Sequence, residues 1–159
     1  MNGLLDEWIV GFMEYTKRRN LNRGYMKLEA WHRGMDLFVL AFRLSNVVSD
    51  LKLKSQFRDA AQSVSANIAE GYGRRSLPEY LQFLYTAKGS LGEALTRAIG
   101  LHNVKFISDD DFETFDQLHY EVENKLLRLI ESLETKRRNS DWRDTLPPSI
   151  HQSTNPPIQ

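Results

Sequence analysis

The sequence predicts an all-α protein: an antiparallel up-and-down four-helix bundle with an additional N-terminal helix. Three observations carry this. Apolar side chains step by three and four through four long stretches, the spacing that gathers them on one helix face. Serine-led start signals and glycine corners punctuate those stretches, as helix caps require. Small residues crowd one of the seams, where a neighbouring backbone can approach closely. Residues 1–24 read as an amphipathic helix and linker, 25–138 as the bundle, and 139–159 as a polar tail.

Gly3 to Arg19 places Leu5, Trp8, Ile9, Phe12, Met13 and Thr16 at helical spacing. Asp6 and Glu7 suit its start, and Lys17, Arg18 and Arg19 its end, where cations oppose the helix dipole. This helix either folds back on the domain or docks on a neighbouring subunit or another protein. Asn20 to Gly24 is a break.

The first bundle helix runs from Leu28 to Val48 with two adjacent stripes. One is Leu28, Trp31, Met35, Phe38 and Phe42; the other is Leu37, Ala41, Leu44 and Val48. Two stripes imply burial along more than one face. Ser49-Asp50 is a stop and restart. The second helix starts at Lys52 or Ser55 and runs to Ala69, with Phe57, Ala61, Val64, Ile68 and, one step on, Tyr72 as its seam. Gly71 and Gly73 are expected to end it through the left-handed cap conformation.

Ser76-Leu77-Pro78-Glu79 opens the third helix as a capping box with proline in the first turn. Its seam is Leu77, Tyr80, Leu84, Ala87, Leu91, Ala94, Ala98 and Leu101. Gly89 and Gly92 each cost about 1 kcal/mol in a helix interior, and tight packing is the expected compensation. Ser108 to Asp111 opens the fourth helix, again read as a capping box with acidic residues at the positive dipole end. The acidic triplet lacks the glycine and distal glutamate of a calcium loop. The fourth seam is Phe112, Phe115, His119, Val122, Leu126, Leu129 and Leu133. His119 fits a hydrogen-bonded core residue rather than a metal ligand, since no partner stands at ligand spacing. After Asn139 the pattern stops, and the proline-punctuated polar tail is expected to stay disordered.

Lys+Arg 21 balance Asp+Glu 21. The distribution is uneven: Lys17 to Lys105 holds 15 Lys/Arg against 7 Asp/Glu, and the remainder holds 6 against 14. That asymmetry is either a basic surface or charge spread over solvated faces. The absence of cysteine excludes disulfides, thiolate zinc sites and cysteine nucleophiles, and is compatible with the cytoplasm. No apolar run reaches the roughly 20 residues of a membrane span, and no signal peptide is expected. No phosphate-cradling glycine loop, nucleophile elbow or paired histidine is present, so no enzyme, cofactor or metal site is expected.

Two polar strips stand out. Ser63, Asn67, Glu70 and Arg74 fall on one line of the second helix. Thr86, Ser90, Glu93 and Arg97 repeat the spacing 23 residues later. Both run along the border of the core. They either meet another subunit, where Glu and Arg can be satisfied across an interface, or form solvated edges with local pairs. Arg74 and Arg75, beside Tyr72, either grip phosphate and stack on a base or serve as C-terminal helix cations.

Leu28-Glu-Ala-Trp31, Gln56-Phe-Arg58, Ser63 with Asn67-Ile-Ala-Glu-Gly71, Arg74, Ser76, Glu79, Phe83-Leu84, Ala87, Gly89-Ser90 and Glu93 resemble the 23S rRNA-intervening sequence proteins. The resemblance spans about residues 25 to 138. It departs at Ser65, where many relatives place proline, in the short link near Ser49, and in the helix before Gly24. It implies a ring-shaped homopentamer. The fold is also similar to that of the accessory variability proteins of diversity-generating retroelements, which form basic pentamers, bind nucleic acid and partner a reverse transcriptase. The resulting expectation is a non-enzymatic oligomeric binding protein, an accessory to reverse transcription. Arg58, Arg74, Arg75, Lys88 and Arg97 would contact RNA or DNA, and Ser63, Asn67, Glu70, Ser90 and Glu93 the neighbouring subunit. The alternative is a protein–protein adaptor whose N-terminal aromatic helix binds a partner.

Overall fold

Four helices account for most of the chain in a computed structural model that describes residues 24–140. They are α1 (Glu29–Leu44), α2 (Leu51–Tyr72), α3 (Leu77–Asn103) and α4 (Asp109–Arg138), with short 3-10 turns at Gly24–Lys27 and Ser45–Val47. Among the described residues there is no strand. The expected N-terminal helix and the polar tail beyond residue 140 lie outside the described residues.

The four helices pair in the ring order α1–α2–α3–α4, with α4 returning to α1 and the α2–α3 pairing the most extensive. Named contacts fix their relative heights. Ser65 Oγ donates to the Trp31 carbonyl at 3.1 Å and Arg58 Nε to Ser45 Oγ at 2.6 Å, joining α1 to α2. Arg33 meets Glu121 at 3.2 Å and Lys125 meets Glu29, joining α1 to α4. His119 Nε2 donates to the Leu91 carbonyl at 3.0 Å, joining α4 to α3.

Caps set the ends. Asp50 accepts from the Leu53 amide and starts α2. Ser76 and Glu79 form the expected reciprocal box at α3, with Pro78 in the first turn. Ser108 accepts from the Asp111 amide; the reciprocal half of the expected box is not formed, because Asp111 is one methylene shorter than the glutamate of such a motif. α3 ends where the Phe106 amide reaches the Leu101 carbonyl and the Lys105 amide that of His102, both at 2.9 Å. Lys105 takes φ 65° there, a left-handed position usually given to glycine.

Every residue of the expected α3 seam is buried, and Phe57, Ala61, Val64 and Ile68 of α2 are fully enclosed. His119 is the expected hydrogen-bonded core histidine, and a carbonyl acceptor requires Nε2 to carry the proton. Four further expectations need correction. Both α1 stripes are buried as expected except at one end: Trp31, Leu37, Ala41, Leu44 and Val48 lie in the core and Leu28, Met35 and Phe38 pack against it, but Phe42 is 46% exposed. Tyr72 leaves the α2 seam and is 45% exposed. Gly71 and Gly73 do not end α2 through a left-handed cap: Gly71 is inside the helix, and Gly73 has φ −77°. Gly71 is instead a packing residue, since a Cβ there would lie 2.7 Å from Phe83 Cβ and 2.9 Å from Tyr80 Cδ2. The reverse holds for Gly89 and Gly92, which are exposed and would meet nothing within 4 Å, so tight packing does not compensate them within the chain.

Candidate functional site

The residues singled out for binding lie along the α2–α3 pair and at its corner. The contact of Gly71 with Tyr80 and Phe83 sets the hairpin register. Counting back from it brings the Ser63–Asn67 turn level with Thr86–Ser90. The two polar strips therefore flank one groove.

Each strip satisfies itself locally. Asn67 Nδ2 donates to the Ser63 carbonyl at 2.8 Å, and Arg74 pairs with Glu70. On α3, Ser90 Oγ donates to the Thr86 carbonyl at 3.2 Å, and Arg97 meets Glu93 at 3.2 Å. No bond between the strips is formed, so their outer edges stay available. Exposed pairs four residues apart are worth tenths of a kcal/mol.

The five candidate cations differ in what holds them. Arg58 lies 3.8 Å over the Phe42 ring and donates to Ser45 Oγ, to Asn46 Oδ1 at 2.9 Å and to the Phe42 carbonyl at 3.3 Å. It thereby caps the C-terminal end of α1, a contact across sixteen residues that periodicity does not reveal. Arg74 lies 4.4 Å over the Phe83 ring while paired with Glu70. Arg97 is held by Glu93. Arg75 and Lys88 are exposed and form no ion pair among the described residues. Arg74 and Arg75 share the α2–α3 corner, Lys88 and Arg97 lie farther along α3, and Arg58 sits toward the opposite end of α2. The structure thus groups only the first pair.

Two further polar groupings were not anticipated. On the α1–α4 side, Arg33 bridges Asp36 and Glu121, each at 3.2 Å. Burial pushes the Asp36 carboxyl up against the opposing hydrogen bond and charge of Arg33. At the α3–α4 corner, His102 Nε2 donates to Asp109 Oδ1 at 2.7 Å and stacks on Phe112 with centroids 4.7 Å apart. The hydrogen bond from His102 leads in holding Asp109 below its ordinary range. Such contacts need the relative register of helices, which one sequence does not supply. Among the described residues, no group of three or more His, Asp or Glu could hold a metal, and no helix is long and apolar enough to cross a membrane.

A family model described as 23S rRNA-intervening sequence protein matches residues 26–128. No curated protein matches the chain. Among solved structures, the fold matches the crystal structure of a protein of unknown function from the S23 ribosomal protein family of Bacteroides thetaiotaomicron. That match has a TM-score of 0.61 and 17% identity, covering 64% of this chain and 97% of that one. At that identity the likeness establishes fold alone.

Proposed function

The chain belongs to the 23S rRNA-intervening sequence protein family, and from that premise we propose that it is a non-enzymatic, oligomeric nucleic-acid-binding protein of the cytoplasm. It would serve as an accessory to a reverse transcriptase of the diversity-generating retroelement kind. The cross-links along α1–α2 and α1–α4 join rising residue numbers to falling ones, which supports an antiparallel up-and-down arrangement.

The carrying observation is the division of charge between helices. Residues 24–105 hold 11 Lys/Arg against 7 Asp/Glu, whereas 106–140 hold 5 against 9. A ring of copies that turned α4 away from the ligand would multiply this modest basic excess, and weak phosphate contacts would add. The polar strips and the uncompensated glycines of α3 are the surfaces offered to neighbouring copies, with a homopentamer as the assembly. The test is binding of the full chain to RNA and DNA at low salt, with sedimentation in parallel. Affinity that falls steeply with salt, on a particle five times the chain mass, supports the proposal. A lone subunit, or no binding at low salt, ends it. Co-purification with a reverse transcriptase encoded beside it tests the accessory role.

A second reading, a protein–protein adaptor, is favoured by the exposed Val39 and Phe42 on α1. It predicts no nucleic-acid binding, together with loss of a protein partner on deletion of residues 1 to 24.

A further inference from the structure

Tyr25, Tyr72 and Tyr80 form a ladder of edge-to-face rings where the first 3-10 turn, α2 and α3 meet. Centroids are 6.4 Å apart for Tyr25–Tyr72 and 6.0 Å for Tyr72–Tyr80. Trp31 backs Tyr25 at 5.4 Å. Burial changes sharply along the ladder: Tyr80 is 5% exposed and Tyr72 45%. The outer ring is also braced by backbone. Gly24 takes φ +56°, and a Cβ there would lie 3.3 Å from Tyr72 Cε1. Tyr72 is thus a braced aromatic residue that stays 45% exposed.

Cations border it. The Arg74 guanidinium is steadied on Phe83, and among the described residues only its Nη2 is bonded, to Glu70. Arg75 and Lys27 are exposed and form no ion pair among the described residues. The nearby carboxylates are occupied: Glu70 by Arg74, and Glu79 by the Ser76 hydroxyl and amide. Arg75 reaches Glu79 only through a weak charge interaction, so it and Lys27 present their charge to solvent at this end of the fold. The basic last turn of α4 closes at the same end, where the Tyr85 hydroxyl donates to Glu134 at 3.1 Å.

A braced, partly exposed tyrosine at a cation-bearing end of the fold suits an unpaired nucleotide. The base stacks on the ring and its phosphates meet the cations. A duplex offers this end only phosphates, because its bases are already stacked. We propose that this end of the bundle binds single-stranded nucleic acid, with an unpaired base stacked on Tyr72 and adjoining phosphates held by Arg74, Arg75 and Lys27. The inference rests on the nucleic-acid reading above and narrows it to a place and a ligand class.

The test uses the full chain, a labelled oligouridine carrying one 2-aminopurine, and an RNA duplex of equal length, at low salt. Wild type is expected to prefer the single strand and to quench the 2-aminopurine emission. Tyr72→Leu is expected to weaken single-strand binding about fivefold or more, since stacking is lost, and to leave duplex binding unchanged. Tyr72→Phe keeps both affinity and quenching. Arg75→Ala weakens both ligands. Binding of neither ligand by wild type overturns the nucleic-acid reading and this inference with it. Binding without quenching, or equal effects of Tyr72→Leu on the two ligands, overturns this inference alone. Should Tyr72→Leu not fold, which its helical circular dichroism would show, Tyr72→Trp decides: the larger ring is expected to tighten single-strand binding and deepen the quenching, and no change in either overturns the inference.

Discussion

Glycine plays opposite parts on the two sides of the α2–α3 hairpin. In the seam, Gly71 lets α3 approach until a Cβ would clash with Phe83, Tyr80 and the Tyr80 carbonyl at 3.2 Å. Gly34 does the same on α1, where a Cβ would collide with Ser65 Oγ. On the outer face of α3, Gly89, Gly92 and Gly100 would meet nothing within 4 Å. The inner glycines are accounted for by the chain's own packing. The outer ones lower helix stability by about 1 kcal/mol each with no return inside the chain. The difference marks the face where intramolecular packing stops explaining the sequence.

The largest expected effect lies in the seam. Gly71→Ala must push apart a side-chain Cβ and a backbone carbonyl, neither of which is a flexible tip. Overpacking of this kind costs about 1–3 kcal/mol, read as a lowered urea midpoint. A midpoint equal to wild type would mean that the seam has slack and that Gly71 is not a packing residue.

The outer face should respond with the opposite sign. Gly89→Ala with Gly92→Ala stabilises the isolated helix by about 1–2 kcal/mol if the face stays in water. If it packs against another copy, the added methyl groups hold the two backbones apart and the sedimentation mass falls. A raised midpoint at unchanged mass would remove the outer glycines from any interface.

How far this contrast could be read without coordinates differs residue by residue. The α3 seam was legible because one continuous three-and-four pattern runs from Leu77 to Leu101. The core face of α1 was legible except at Phe42, because two adjacent apolar stripes both satisfy helical periodicity, and only the partners decide that Leu37 and Ala41 turn inward while Phe42 does not. Gly71 stands near a helix end, where a capping reading and a packing reading use the same residue type; the distance to Phe83 separates them. For the candidate site, the Glu70–Arg74 and Glu93–Arg97 pairs follow from spacing within one helix. The seat of Arg58 on Phe42 and the place of Tyr72 between Tyr25 and Tyr80 depend on how separate helices align.

The polar strips should show a smaller effect. In a lone chain, Glu70→Ala and Glu93→Ala each remove one exposed pair four residues apart, worth about 0.3–0.5 kcal/mol. A drop in sedimentation mass with so small a change in stability would place these carboxylates at a subunit contact. Unchanged mass for both would assign them to solvated helix edges.

The smallest effect separates seam from margin by pH. Glu79 is held below its ordinary 4.5 by hydrogen bonds from the Ser76 hydroxyl and amide, and weakly by Arg74 and Arg75. A carboxylate lowered on folding contributes stability that is present above its unfolded value and is lost as pH falls through its folded value. Glu79→Gln keeps the capping geometry but removes the titration. The gap between this variant and wild type should therefore be open above about pH 4.5 and close below it. Gly71→Ala acts through steric contact with uncharged atoms, so its gap should stay constant over the same range. Denaturation curves at neutral and acidic pH read both. A Glu79→Gln gap that did not close in acid would assign the loss to the cap's geometry, and a Gly71→Ala gap that varied with pH would show that seam and margin are coupled.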